Sequence, residues 1–148
     1  MLVPEHSCCP GWSHDGTRVS VPASAPDGRI TTATVNADGA GFNPFALPDA
    51  TLNIGCAGGG WAPGDATIAC QAWDETDALR NGIYTVSSAD GSGVTRLTDP
   101  QGGEDDVGGY SPDGSQLVSC GSTPRGIRSA SSSSRRAAAN RAASRPRA

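Results

Sequence analysis

Lysine is absent from all 148 residues, which excludes both the lysine of a phosphate-binding P-loop and a Schiff-base nucleophile. Histidine occurs only at His6 and His14, and aromatic residues make up 5% of the chain. Apolar content is 36%, low for a large, tightly packed core. No run of 18 apolar residues occurs, so the sequence offers no membrane-spanning helix. The opening Met1-Leu2-Val3-Pro4-Glu5-His6 lacks a basic start followed by an apolar stretch, and no signal peptide is expected as written. The five cysteines, Cys8, Cys9, Cys56, Cys70 and Cys120, are odd in number and form no C-x-x-C pair. Neither a zinc ribbon nor a full disulfide framework is supported. Cys70 is expected to be a small buried strand residue, as unpaired cysteines often are. Cys8-Cys9 falls in a plain N-terminal extension, and the compartment stays open.

What the chain has in quantity is turn chemistry, with 20 glycines and 11 prolines. Gly109-Tyr110-Ser111-Pro112-Asp113-Gly114-Ser115-Gln116-Leu117-Val118 sets an aromatic before Ser-Pro-Asp-Gly and an apolar pair after it. Proline fixes φ, Asp bonds its own backbone and Gly accepts positive φ, so the segment reads as the bend of a β-hairpin. Trp12-Ser13-His14-Asp15-Gly16-Thr17-Arg18-Val19 and Trp61-Ala62-Pro63-Gly64-Asp65-Ala66-Thr67-Ile68 repeat it. The aromatics at 12, 61 and 110 are separated by 49 residues each time (61−12 and 110−61). Strands rich in Thr, Ile and Val follow at 29–35 and 83–87, each ending in an Ala-Asp-Gly turn. A weak fourth strand follows from Phe42 in the first unit, and a fourth strand runs over 94–98 in the second. Four short strands per unit of about 50 residues mark a propeller blade, which needs neighbours to cover its faces.

Two segments carry a family resemblance. They are the aromatic-Ser-Pro-Asp-Gly-x-x-Leu-Val run at 110–118 and Gly82-Ile83-Tyr84-Thr85-Val86 continuing through Ala89-Asp90-Gly91-Ser92-Gly93 to Val94-Thr95-Arg96-Leu97-Thr98. This resembles the TolB-like, WD40-like β-propeller repeat, over roughly Trp12 to Cys120. The first copy departs where His14 stands for proline, and the second where Gly64-Asp65 inverts the Asp-Gly order. Members of that family usually close as six-bladed propellers. This chain supplies two to three blades, about 12–50, 61–99 and a partial 108–120. The expectation is an all-β array of antiparallel four-stranded blades, an incomplete propeller, behind an N-terminal extension over 1–11. Such a chain is a fragment, a truncated product, or a unit that associates with copies of itself through open blade edges.

Charge divides the chain. All 15 acidic residues lie between Glu5 and Asp113, whereas only Arg18, Arg29, Arg80 and Arg96 of the 11 arginines precede Arg125. The Arg/Ala/Ser-rich stretch over 121–148 has almost nothing to bury and is expected to be disordered. It lacks the interleaved aromatics of a nucleic-acid-binding arm, so no nucleic acid is expected. Its abrupt monotony after a patterned repeat also fits a lost reading frame near 118–121.

Several constellations invite chemistry. Gly11-Trp12-Ser13-His14-Asp15 and Gly109-Tyr110-Ser111-Pro112-Asp113 approach the G-x-S-x-G nucleophile elbow, but Asp replaces the last glycine and the pattern recurs with the repeat, so a hairpin bend is expected. His6, Cys8, Cys9, His14 and Asp15 match no metal-ligand spacing. The acidic runs Glu104-Asp105-Asp106 and Asp74-Glu75-x-Asp77 are expected in solvated loops, not as calcium or acid–base sites. Gly58-Gly59-Gly60 precedes a strand and is no phosphate loop. Trp12, Trp61 and Tyr110 are expected to pack between blades. No catalytic, cofactor-binding or metal-ligating residue and no cofactor is therefore assigned. The resemblance implies a non-catalytic protein-binding scaffold of the bacterial cell envelope or periplasm, without membrane insertion. The alternatives are the propeller portion of a prolyl-oligopeptidase-like hydrolase, with its catalytic domain outside this chain, and a truncated or frameshifted product without function.

Overall fold

A computed structural model describes residues 9–56, 60–122 and 135–136. The chain forms three antiparallel sheets one after another. The first runs β1 (Gly11–Trp12), β2 (Arg18–Ser24), β3 (Ile30–Asn36) and β4 (Asn43–Pro44). The second runs β5 (Leu52–Gly55), β6 (Thr67–Asp74), β7 (Gly82–Ser87) and β8 (Thr95–Arg96), and the third pairs β9 (Glu104–Tyr110) with β10 (Gln116–Ser122). Arg135–Arg136, as β11, lies beside β10 where β3 and β7 lie in the other sheets. In each four-stranded sheet neighbours in sequence are neighbours in space, the meander of a propeller blade. A single 3-10 turn, Ala78–Arg80, is the one helical piece among the described residues. The expected all-β array of four-stranded blades is what forms.

The hairpin bends repeat bond for bond. Ser13, Ala62 and Ser111 amides donate across the bend to the carbonyls of Arg18 (2.9 Å), Thr67 (3.0 Å) and Gln116 (2.9 Å). Gly16, Asp65 and Gly114 amides close the tight turn onto the carbonyls of Ser13, Ala62 and Ser111. The inverted Gly64-Asp65 therefore preserves the turn. Gly64 takes φ 88° after Pro63, and Asp65 occupies the left-handed position at φ 59° that glycine holds in the other copies. Asp is one of the few side chains that tolerates that conformation.

The second sheet is the middle layer. One of its faces builds the main core, with Leu52, Ile54, Cys56, Trp61, Ile68, Cys70, Ala72, Tyr84 and Val86 closing around Phe45 from the first sheet's last connection. Its other face, through Ala69 and Ile83, packs on Leu117, Val107 and Tyr110 of the third. Phe45 lies against Gly91, where a Cβ would meet the Phe45 side chain at 2.5 Å and φ is 77°. The Ala-Asp-Gly turn needs its glycine for space as well as for backbone shape.

The first strand of the second sheet differs from the sequence reading, which opens this unit at Trp61. β5 already pairs Leu52 with Asp74 through Gly55 with Gln71, and Trp61 then bridges Ile68 alone. Ten residues from Leu52 to Trp61 thus stand against seven from Asp74 to Ile68, and the register shifts by three between Gly55 and Trp61. Cys56, beyond Gly55, forms a disulfide with Cys70, sequence separation 14. Cys70 is fully buried on a strand, as expected, but it is paired rather than a free thiol. Spacing alone cannot show this, because Cys56 comes opposite Cys70 by continuing the β5–β6 register, which differs by three residues from the one that Trp61 and Ile68 hold.

Candidate binding cleft and the seams between sheets

The two serines singled out for chemistry, Ser13 and Ser111, are held by the architecture. The Ser13 hydroxyl donates to Asp15 (2.7 Å) and receives the Arg18 amide (2.9 Å). The Ser111 hydroxyl does the same with Asp113 (2.6 Å) and Gln116 (3.0 Å). Both serines brace hairpin bends. The hydroxyl bonds from Ser13 and Ser111, with Thr17 and Ser115 donors, hold the Asp15 and Asp113 carboxyls down at about 2. His6 and Cys8 lie outside the described residues, as does most of the segment over 121–148, including its expected disorder and the proposed loss of frame. Of the triple glycine run, Gly60 is described; its carbonyl accepts the Ala69 amide at 2.7 Å.

His14 and Asp65 make the seam between the first two bends. The Asp65 carboxylate receives the His14 amide on one oxygen (2.7 Å) and the Asp15 amide on the other (2.9 Å), with His14 Nδ1 at 3.1 Å. Burial opposes ionisation of Asp65, but the two amide donors and the imidazole outweigh it and leave the carboxyl below its usual range. Arg18 continues the seam: its guanidinium donates to the Ser88 and Asp65 carbonyls (3.2 and 3.1 Å) and stands 5.0 Å from the centre of the Trp61 ring. The Trp61 indole N–H donates to the Gly11 carbonyl (3.0 Å) and lies 3.1 Å from the Ser20 hydroxyl.

The two acidic runs behave differently from each other. Asp74 ends β6 fully buried. One of its oxygens takes the Thr76 hydroxyl (2.7 Å) and the Thr76 and Asp77 amides, and the other takes the Thr51 hydroxyl (2.6 Å) and Arg80 (2.6 Å). The Thr51 hydroxyl, with Thr76 next, drives its carboxyl far below the ordinary range. Asp77 caps the following 3-10 turn by accepting the Leu79 amide. Glu104-Asp105-Asp106 forms no loop. It opens β9, pairing with Ser122, Gly121 and Cys120. Strand alternation turns Glu104 and Asp106 to solvent and leaves Asp105 half-buried, so the charge run is compatible with a sheet.

At the end of the sheets opposite the aromatic-led bends, the β2–β3 turn of the first sheet faces the start of β5 and the end of β6. Between them lies an open cleft of about 400 Å³, lined by Arg29, Asn53, Trp73, Glu75 and Thr76 among others. Its floor is fixed. Arg29 pairs with Asp27 (2.7 Å) and donates to the carbonyls of Asp49 (2.7 Å) and Leu52 (3.2 Å). Asn53 accepts the Ile30 amide at 2.9 Å, which bridges the sheets. Trp73 is half-buried and lies over Gly55, where a Cβ would meet the ring at 3.4 Å. Sequence reading missed this cleft because its lining comes from three separated segments, around residues 27–30, 50–53 and 73–76, that only the folded register brings together.

The three aromatics do not share one environment. Trp61 is 2% exposed and Trp12 60% exposed, and Tyr110 packs half-buried against the second sheet. Trp61 and Tyr110 each lean on the sheet before them.

Sheet order, repeat spacing and the aromatic wedges are together those of stacked propeller blades, and a solved structure bears this out. A protein from Agrobacterium tumefaciens, provisionally assigned as TolB, matches over 76% of this chain with a TM-score of 0.58 and 20% sequence identity. The fold is that of a TolB-like β-propeller. The chain spans 37% of the length of that protein, so it carries part of such a propeller. No protein-family description matches the sequence, and no curated protein does. Among the described residues, no helix of this TolB-like segment is long and apolar enough to cross a membrane.

Proposed function

We propose that the chain is a non-catalytic, protein-binding segment of a TolB-like propeller, and that the cleft beside Trp73 is where it holds its partner. The cleft carries the reading. It combines a half-buried aromatic wall with the polar groups of Asn53, Glu75 and Thr76 over a floor braced by Arg29. A preformed, open groove with one large ring and several polar positions suits a short loop or extended segment of another protein. Ser13 and Ser111 with their partner carboxylates brace hairpin bends, and Asp74 is bound by Thr51, which supports a scaffold role.

A random-peptide display library selected against the immobilised full chain tests this reading. The expected outcome is a set of enriched peptides whose affinity falls roughly tenfold with Trp73→Ala, since aromatic residues dominate binding hot spots. Enrichment that is equal on the wild type and the Trp73→Ala variant would remove the cleft as the binding site.

A further inference from the structure

Large apolar side chains exposed among the described residues include Trp12, at 60%, and Val118, at 59%. These two occupy matched places in the repeat. Between the first and second sheets, the Trp61 ring is seated at Gly11 and Ser20. Between the second and third, Tyr110 packs in a cluster containing Ala69, the residue 49 positions after Ser20. The same interval leads from Ala69 on to Val118, from Gly11 through Gly60 to Gly109, and from Trp61 back to Trp12. Gly11 pairs with Ser20 across its sheet, and Gly109 pairs with Val118 across the third. Among the described residues, Trp12 is therefore the ring of a wedge without a seat, and Gly109–Val118 a seat without a ring.

We propose that a second copy of the chain completes both, with the Trp12 ring of one copy packing onto Val118 and Gly109 of the other. Val118 points away from the second sheet, because its neighbour Leu117 is buried toward it. Gly109 pairs with Val118 as Gly11 pairs with Ser20, so its carbonyl is the counterpart of the one that receives the Trp61 indole and would receive the indole of Trp12. Val19, opposite Trp12 and half-buried, extends the ring's apolar surroundings, as Ile68 does for Trp61. The two halves of the contact are different surfaces, so association is head to tail. It continues from copy to copy until the assembly closes on itself.

The mass of the full chain in solution, measured by light scattering across about 5–200 μM in 0.15 M salt, tests the proposal. These concentrations cover micromolar dissociation constants. The expected result is a mass that rises with concentration for the wild type. Trp12→Ala and Val118→Asp each raise the dissociation constant at least about tenfold while leaving the circular dichroism spectrum unchanged. Each variant keeps the half that the other lacks, so an equimolar mixture recovers a one-to-one pair that neither forms alone. Three results would overturn the proposal: a wild type that stays monomeric throughout, a Trp12→Ala variant that associates like the wild type, or a mixture of folded variants that does not pair. If Val118→Asp fails to fold, the Trp12→Ala arm alone still decides.

Discussion

Asp65 stands in the left-handed backbone region at φ 59°, where a residue with a Cβ is ordinarily penalised. What it gains there is reach. In the first and third bends the carboxylate comes one residue earlier, at Asp15 and Asp113, and closes its own turn. Moved to the glycine position, the Asp65 carboxylate leaves its own bend and binds two amides of the preceding one. The sequence shows the inversion but not its consequence, because the donors lie about 50 residues away and are main-chain groups. Asp65→Asn isolates the effect. Asn also tolerates the left-handed conformation, but its amide has one acceptor oxygen where the carboxylate offers two. One donor, the His14 or the Asp15 amide, then faces an NH₂ group. Urea unfolding is expected to show a loss of about 1–2 kcal/mol at pH 7. A change below about 0.3 kcal/mol would mean that the seam adds nothing to stability.

The second and third strands of the first two sheets, and all three aromatic-led bends, can be read from residue pattern, because alternation and turn chemistry are local. Two elements cannot. β5 is four residues long, Leu52–Gly55, and a glycine-rich segment separates it from the aromatic that completes its edge. β9 begins in three consecutive carboxylates, a composition that suggests a solvated loop, yet alternate residues face water at this first strand of the third sheet. The cleft shares the difficulty of β5, since its walls meet only once β5 and β6 are paired. The Cys56–Cys70 bond, at a sequence separation of 14, ties the end of β5 to β6 and so fixes that pairing. A loop of this size is expected to stabilise the fold by about 3 kcal/mol. Replacing both cysteines with alanine should lower the melting temperature by roughly 10 °C, with the loss concentrated in amide protection along β5 and β6. An unchanged melting temperature would show that core packing alone sets the register.

The molecule as a whole is held at its loops by carboxylates that are better bound folded than free. Asp15, Asp49 and Asp113 are brought down to about 2 by the Ser13 hydroxyl, the Thr51 amide and the Ser111 hydroxyl respectively. Asp74 is driven lower still by the Thr51 hydroxyl, and Asp27 and Asp90 are lowered by their Arg29 and Ser92 partners. In the unfolded chain these groups return to about 3.9. Between about pH 4 and pH 2 the unfolded chain therefore binds more protons than the folded one, and stability falls as pH falls. Above about pH 5 both states are ionised at these sites and the contribution is fully present. Lysine is absent, and Arg18, Arg29, Arg80 and Arg96 keep their charge throughout this range. Relief of repulsion within the acidic body works in the opposite direction, but salt screens it while leaving short hydrogen bonds largely intact. Melting temperature measured in 0.5 M sodium chloride is expected to be flat from pH 7 to 5 and to drop steeply from pH 4 to 2.5. Asp74→Asn should lower the plateau and make the acid drop shallower, because one of the linked protons is gone. A curve that falls already between pH 7 and 5.5, or stays level to pH 2.5, would mean that these carboxylates do not hold the propeller segment together.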